Sequence, residues 1–242
     1  LSEGKLHDDA SLTPNPLSAD QSSVLGKLKL ILSDSFEATI TADFQEWEGD
    51  IELNSDETMS FYPVILNTSE SVGVDEGIRE RVSLKLDFLG ESFFENGSIN
   101  IFTQETEQEQ QTTKSQQTFG NGLQAGPTAL SSEFRNYQFN QSIDGFSAEF
   151  FKTIGSDDFG RTHNLVYGFE YESTDTQRPR IRVSTNLMTG AQNTFLGGEY
   201  YPNKTFPDTE TKRKAAFFND RIQVNEKTAV VFGARYDQYE LN

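Results

Sequence analysis

The chain has 242 residues, with 38 acidic and 20 basic side chains giving a formal charge of −18, which argues against binding nucleic acid through its phosphates. It has no cysteine, so a disulfide framework and thiolate metal sites are excluded. No run of roughly 18 apolar residues is present; that excludes a transmembrane helix but not a transmembrane barrel, whose strands cross on about 9–11 alternating residues.

The mean hydropathy of −0.60 suggests a polar, even disordered chain. The 20 Phe and 8 Tyr contradict that reading, because so much aromatic surface must be buried and its placement is periodic.

In chain order, residues 1–21 are polar, carry Pro14 and Pro16, and suit a loop or an edge. His7 lies in this stretch and reads as solvated. A first strand follows, with Val24, Gly26, Leu28, Leu30 and Leu32 on one face. After the turn signal Ser33-Asp34-Ser35, a second strand puts Phe36, Ala38, Ile40, Ala42 and Phe44 on one side and Glu37, Thr39, Thr41, Asp43 and Gln45 on the other. Residues 48–77 hold Asp50, Glu52, Asp56 and Glu57 but no Lys or Arg, and read as a long outer loop. Its acidic group lacks the ligand spacing and glycine of a calcium loop, so solvated charge is the reading.

The next strand runs from about Ile78, with Val82, Leu84, Leu86 and Phe88 facing one way, and a short turn at Glu95-Asn96-Gly97 returns the chain through Ile99 and Ile101. Residues 104–131, rich in Gln, Glu and Thr and then in Gly, read as a second long outer loop. Phe134 to Thr153 reads as one strand whose apolar phase shifts from Tyr137, Phe139 and Ile143 to Phe146, Ala148 and Phe150, so a bulge is expected at Asp144-Gly145.

The clearest alternation is His163 to Glu172. His163, Leu165, Tyr167, Phe169 and Tyr171 share one face, and Asn164, Val166, Gly168, Glu170 and Glu172 share the other. An apolar, tyrosine-bearing side opposite a charged one matches a barrel strand between lipid and a polar lumen, so Leu165, Tyr167, Phe169 and Tyr171 are expected to face lipid. Residues 173–210 read as a third outer loop. The last hairpin joins 212–224 to 228–241 through Asn225-Glu226-Lys227 and separates Val230, Phe232, Ala234 and Tyr236 from Gly233, Arg235 and Asp237.

Short turns on one side and long loops on the other, with about eight strands, predict an all-β, antiparallel up-and-down transmembrane β-barrel. The chain opens at Leu1 without an initiator methionine or signal peptide and stops after a strand-like segment, so a piece of a longer barrel is expected. Asp220 interrupts the apolar series Ala216, Phe218, Ile222 and Val224. It belongs at the periplasmic rim, unless the strand's phase is misread.

Phe206-Pro207-Asp208-Thr209, Phe218-Asn219-Asp220-Arg221-Ile222 and Gly233-Ala234-Arg235-Tyr236-Asp237-Gln238-Tyr239 resemble barrel segments of TonB-dependent outer-membrane receptors, particularly the haem and haemoglobin receptor branch. His163 to Gly168 and the segment from Asn15-Pro16-Leu17 to Leu28 are similar to that branch too. Arg221 departs from it, since an acidic residue is the more frequent occupant there.

The resemblance implies a plugged, 22-stranded barrel in the outer membrane of a Gram-negative bacterium, with the whole of 1–242 falling inside its barrel domain. It also implies that outer-membrane lipid, the TonB energy-coupling complex and haem or a haem protein are the partners. The ligands to haem iron in that branch lie outside this chain, so no cofactor is expected to be bound by these residues. A siderophore or cobalamin receptor is the alternative of the same kind; a small non-transporting barrel or a secreted β-sandwich is the alternative of another kind.

No nucleophile, base and orienting group can be assembled from the sequence, so an enzyme is not expected and catalytic residues are none. Metal-binding residues are likewise none: His163 reads as an interfacial aromatic rather than a ligand. Arg178, Arg180 and Arg182 form a basic cluster in the third outer loop and suit haem propionates or lipopolysaccharide phosphates, with ordinary loop solubility as the competing reading. Gly197-Gly198 with Tyr200 and Tyr201 is a candidate stacking surface at the loop tip. Arg235 and Asp237, two apart on the polar face, are expected to form a structural pair in the lumen.

Overall fold

The computed structural model describes residues 15–54, 57–61, 64–90, 92–155 and 161–242. His7, Pro14, Asp56 and most of the turn expected at 155–161 lie outside the described residues. Eight long strands make one antiparallel sheet in chain order: β1 (Leu17–Ser33), β2 (Phe36–Glu52), β4 (Ile65–Leu89), β5 (Asn96–Phe119), β6 (Ala129–Ile154), β7 (Thr162–Gln177), β13 (Thr209–Asn225) and β14 (Thr228–Leu241). The short β3 (Met59–Ser60), β8 (Pro179–Asn186), β9 (Gln192–Asn193) and β12 (Asn203–Lys204) extend it, and β10 (Phe195–Leu196) pairs with β11 (Glu199–Tyr200) as a separate hairpin. Among the described residues the sheet stays open, with β1 and β14 as its edges.

Register shows why these residues form this sheet. Residues directly opposite in an antiparallel ladder share a face. One row across all eight long strands is Leu30, Ala38, Leu86, Ile99, Ala148, Phe169, Ala216 and Tyr236, every member apolar or tyrosine. The adjacent row, one residue along, is Lys29, Thr39, Lys85, Asn100, Ser147, Glu170, Ala215 and Asp237. A period of two thus sorts the whole sheet into an apolar face and a polar face, as expected from His163–Glu172 alone.

The apolar face is uncovered. Leu30, Ile40, Phe169 and Tyr236 remain 40–68% exposed, and no second sheet packs on it among the described residues. A β-sandwich would bury that face, and a water-soluble monomer rarely leaves so large an apolar surface open.

Toward the short-turn end, the apolar face carries an aromatic row: Phe36, Phe88, Phe150, Tyr167 and Phe218 are in register through Gly97. Phe94 fills the space over Gly97, with ring centroids 5.2 Å from Phe88 and 5.3 Å from Phe150. A Cβ at Gly97 would stand 2.8 Å from the Phe88 ring, so glycine is what lets the rings close over the strand. The Tyr167 hydroxyl donates to the Phe93 carbonyl at 2.7 Å. Toward the other end the apolar character stops at Asp144 and Ser173, which are in register, and one row earlier on β13 and β14, at Lys214 and Gln238.

Several expectations are corrected. The segments read as outer loops, 48–77, 104–131 and 173–210, are largely strand: β2 runs to Glu52, β4 begins at Ile65, β5 reaches Phe119, and β8 covers Pro179–Asn186. With 25, 24 and 26 residues, β4, β5 and β6 far exceed the roughly 9–11 residues that cross a bilayer. The outer half of β5 is polar on both faces, and those of β4 and β6 scatter apolar residues over both, which removes the period-two signal without removing the ladder. β1 likewise begins at Leu17, inside the stretch read as loop or edge.

No bulge occurs at Asp144-Gly145, where β6 pairs continuously with both neighbours. The aromatic phase shift is instead a change of face: Phe139 belongs to the polar face of the outer extension, while Phe146, Ala148 and Phe150 belong to the apolar face. Gly145 makes room on the polar face for the Phe102 ring, 2.1 Å from where its Cβ would stand. Register shifts occur elsewhere, between Ile31/Ser33, Thr68/Glu70 and Gln223/Asn225.

A second glycine is constrained by backbone. At Gly168 a Cβ would lie 2.1 Å from the Ala148 carbonyl oxygen, which no rotamer change relieves. Gly168→Ala is expected to destabilise the sheet by about 1–3 kcal/mol through overpacking, whereas Gly26→Ala, with its nearest neighbour at 3.9 Å, is expected to be silent. Urea unfolding of both variants of the full-length protein in detergent checks this.

Candidate functional site

The polar face holds the groups that can recognise a ligand. At its centre Glu170 accepts from Arg235 at 2.7 Å and from Arg213 at 3.3 Å, and Arg235 also donates to Asp237 at 2.9 Å. The expected Arg235–Asp237 pair is therefore present but belongs to a four-residue network. Glu170 and Arg213 join it because β13 lies between β7 and β14, with Ala215 opposite both Glu170 and Asp237. Sequence spacing along a single strand cannot reveal such a partner.

The arginines 178, 180 and 182 sit around β8, not in a loop. The β7 ladder on β6 ends at Asn140–Gln177, and β8 resumes it with Tyr137–Arg180 at the same offset. β7 and β8 are thus one line interrupted at Arg178, where Pro179 supplies no N–H and the Arg178 carbonyl instead accepts from the Thr205 amide at 3.0 Å. The alternation carries all three arginines onto the polar face.

Their surroundings differ. Arg182 donates to Glu133 at 2.6 Å and Arg135 donates to the same oxygen at 2.5 Å. Glu133 is only 5% exposed. Burial, its largest single influence, pushes the carboxyl up, but the hydrogen bonds from Arg182 and Arg135 and their charge outweigh it and hold Glu133 below the usual carboxylate range. Arg180 reaches Glu199 at 2.9 Å and Asn203 at 3.0 Å and lies 5.7 Å over the Tyr201 ring. Arg178 has aromatic neighbours instead, Phe139 at 5.1 Å and Phe206 at 5.8 Å from its guanidinium carbon to the ring centroids.

The Gly197-Gly198 element is the turn of the β10–β11 hairpin, with positive φ at both glycines. The Tyr200 ring meets Phe195 at 4.6 Å between centroids, tilted by 46°, and Tyr201 is buried beside Arg180 rather than offered at a tip. Asp50 and Glu52 lie in β2. Among the described residues no three His, Cys, Asp or Glu side chains converge to hold a metal ion.

His163 and Asp220 meet on the apolar face, with Nδ1 to Oδ2 at 2.8 Å. The phase of β13 is therefore as read. Asp220 pairs in register with Leu165 and Phe232, one row beyond the aromatic row toward the short turns. The partner that sequence reading missed was His163, displaced by two residues on the neighbouring strand.

The TonB dependent receptor-like, beta-barrel family profile matches residues 27–242. No curated protein gives a significant match. With a match over nearly the whole chain and an antiparallel sheet divided into an apolar and a polar face, the protein belongs to the TonB-dependent receptor-like β-barrel family, whose members are outer-membrane transport receptors rather than enzymes.

Proposed function

We propose that the receptor to which this barrel domain belongs imports haem, or haem taken from a haem protein, across the outer membrane. The observation that carries the reading is the resemblance of Phe206-Pro207-Asp208-Thr209 and of Gly233 to Tyr239 to the haem branch. Its physical support is the position of Phe206, which reaches back over Arg178 and lines a cavity of about 340 Å³ together with Phe139 and Thr209. In this reading the apolar face, with Leu165, Tyr167, Phe169 and Tyr171, contacts lipid and the polar face lines the lumen. The TonB complex supplies the energy, and the chain holds no cofactor of its own. The arginines around β8 stand outside the apolar band, on the side of the long connections.

The test is growth of an iron-starved, receptor-deleted Gram-negative host carrying the full-length gene, with haem or a ferric siderophore as sole iron source. Growth on haem is expected. Growth on the siderophore alone sinks the haem assignment and leaves the transport receptor in place.

A further inference from the structure

We infer that Arg178, flanked by Phe139 and Phe206, is a binding subsite for the carboxylate of a flat, conjugated ligand; this deepens the haem reading by naming the group that the barrel itself recognises. Three observations converge on it. First, of the three arginines around β8, two are already committed to carboxylates, Arg182 to Glu133 and Arg180 to Glu199. Arg178 is exposed, and among the described residues no carboxylate pairs with it. An aromatic ring engages a guanidinium through its face and leaves the in-plane N–H fork free, which is the geometry that takes a carboxylate bidentately.

Second, two cavities meet at Arg178 and Phe139. One, of about 340 Å³, is completed by Gln141, Thr176, Phe206, Pro207 and Thr209. The other, of about 590 Å³, is completed by Tyr137, Gln108, Gln110, Gln138, Thr205 and Arg180. Both fall in the size range of small-molecule sites, and they combine ring faces with neutral hydrogen-bonding groups and, in the larger, with Arg180, whose charge Glu199 already takes.

Third, neither cavity has an Asp or Glu in its lining. In a chain with 38 acidic residues this is a departure from the surroundings. The cavity beside Trp47, on the same sheet, is lined by Glu46, Glu48, Glu76, Glu107 and Glu109. Carboxylates close to Arg178 would neutralise it and repel an anion, and their absence from both linings leaves the cation available. Phe206 reaches the site from the connection after β12, so a ring from a distant segment closes over a cation on the sheet, as a planar ligand requires.

The experiment uses the full-length receptor in detergent and two probes, haemin and naphthalene-2,6-dicarboxylate, with naphthalene-2,6-dicarboxamide as the uncharged flat control, each measured by calorimetry. The wild type is expected to bind the dicarboxylate more tightly than the diamide. Arg178→Gln should weaken haemin and the dicarboxylate about tenfold while leaving the diamide unchanged, the size of one lost charge-assisted hydrogen-bonded contact at an exposed site. Phe206→Ala should weaken the diamide as well, because it removes a stacking face. If the wild type ignores haemin but discriminates dicarboxylate from diamide through Arg178, the haem assignment falls and the subsite stands. If Arg178→Gln binds both anions like the wild type, or if dicarboxylate and diamide bind alike or not at all, the subsite is overturned, even where haemin binds.

Discussion

Phe169→Arg is expected to cut assembly of the receptor into outer membranes sharply, while Val166→Arg on the same strand is expected to assemble nearly as well as wild type. Phe169 lies in the row from Leu30 to Tyr236, whose members are all apolar or tyrosine, inside the apolar band between the aromatic Tyr167 row and the Tyr171 row, where Lys214 and Gln238 first bring polar groups onto this face. A charged side chain at the bilayer midplane costs about 2–4 kcal/mol on the lipid face of such barrels. Leu165→Arg is expected to cost less, because Leu165 lies two rows nearer the short turns, in register with Asp220, which already brings a carboxylate onto this face beside the new guanidinium. Val166 lies opposite Phe151 and Asn219 on the polar face. The measurement is the folded fraction of each variant in isolated outer membranes, scored by heat-modifiable migration. Equal assembly of the Phe169 and Val166 variants refutes the assignment of the two faces.

The second large effect is expected at Glu133, the carboxylate that ties β8 to β6. Glu133→Ala leaves the guanidinium groups of Arg135 and Arg182 facing each other without their shared acceptor. Breaking a buried pair costs about 3–5 kcal/mol. Here Arg135 and Arg182 keep 27% and 20% of their side-chain surface in water, and the cost is discounted to about 2–3 kcal/mol. The loss is local: amides of Arg180 to Asn186 in β8 should exchange faster with deuterium while those of the sheet centre keep their protection. Arg182→Gln should do less, since Arg135 still serves the carboxylate.

The same contact has a defined pH dependence. The Glu133 carboxyl is held below its ordinary value by the two arginines, so its contribution is fully present above the unfolded value of about 4.3 and is lost as pH falls through the lower folded value. Faster exchange at the amides of Arg180 to Asn186 is therefore expected only on the acid side of about pH 4, and it should be absent in Glu133→Ala, which has no carboxyl to titrate. Exchange that accelerates with acid in the variant as well assigns the effect to another group.

Legibility followed the environment of each strand. Where one face meets an apolar medium and the other a polar one, the two-residue alternation is written into the chain, and Leu28–Leu32, Phe36–Phe44, Val82–Phe88, His163–Glu172 and Val230–Asp237 all fall in the sheet as read. Where both faces are polar, as from Gln104 to Thr118, alternation vanishes and strand is indistinguishable from loop by pattern; only the continuous ladders of β5 with β4 and β6 reveal it. The supposed bulge at Asp144-Gly145 came from the same cause, since aromatics on opposite faces of successive segments look like a slip in phase. Among the site residues, the Arg235–Asp237 pair was readable because both members lie on one strand, two apart.

What local order along the chain carries is the class of fold and the identity of the two faces, because both follow from the period of the side chains and from which residues share a parity. What it does not carry is lateral: that Glu170 sits between Arg213 and Arg235, that His163 meets Asp220, that Glu133 occupies two arginines, and that Phe206 comes back over Arg178. These pairs are separated by tens of residues along the chain, and interstrand register, together with the return of the connection after β12, is what brings them within a few ångströms. Three arginines that look equivalent in sequence become two neutralised cations and one available one for that reason alone.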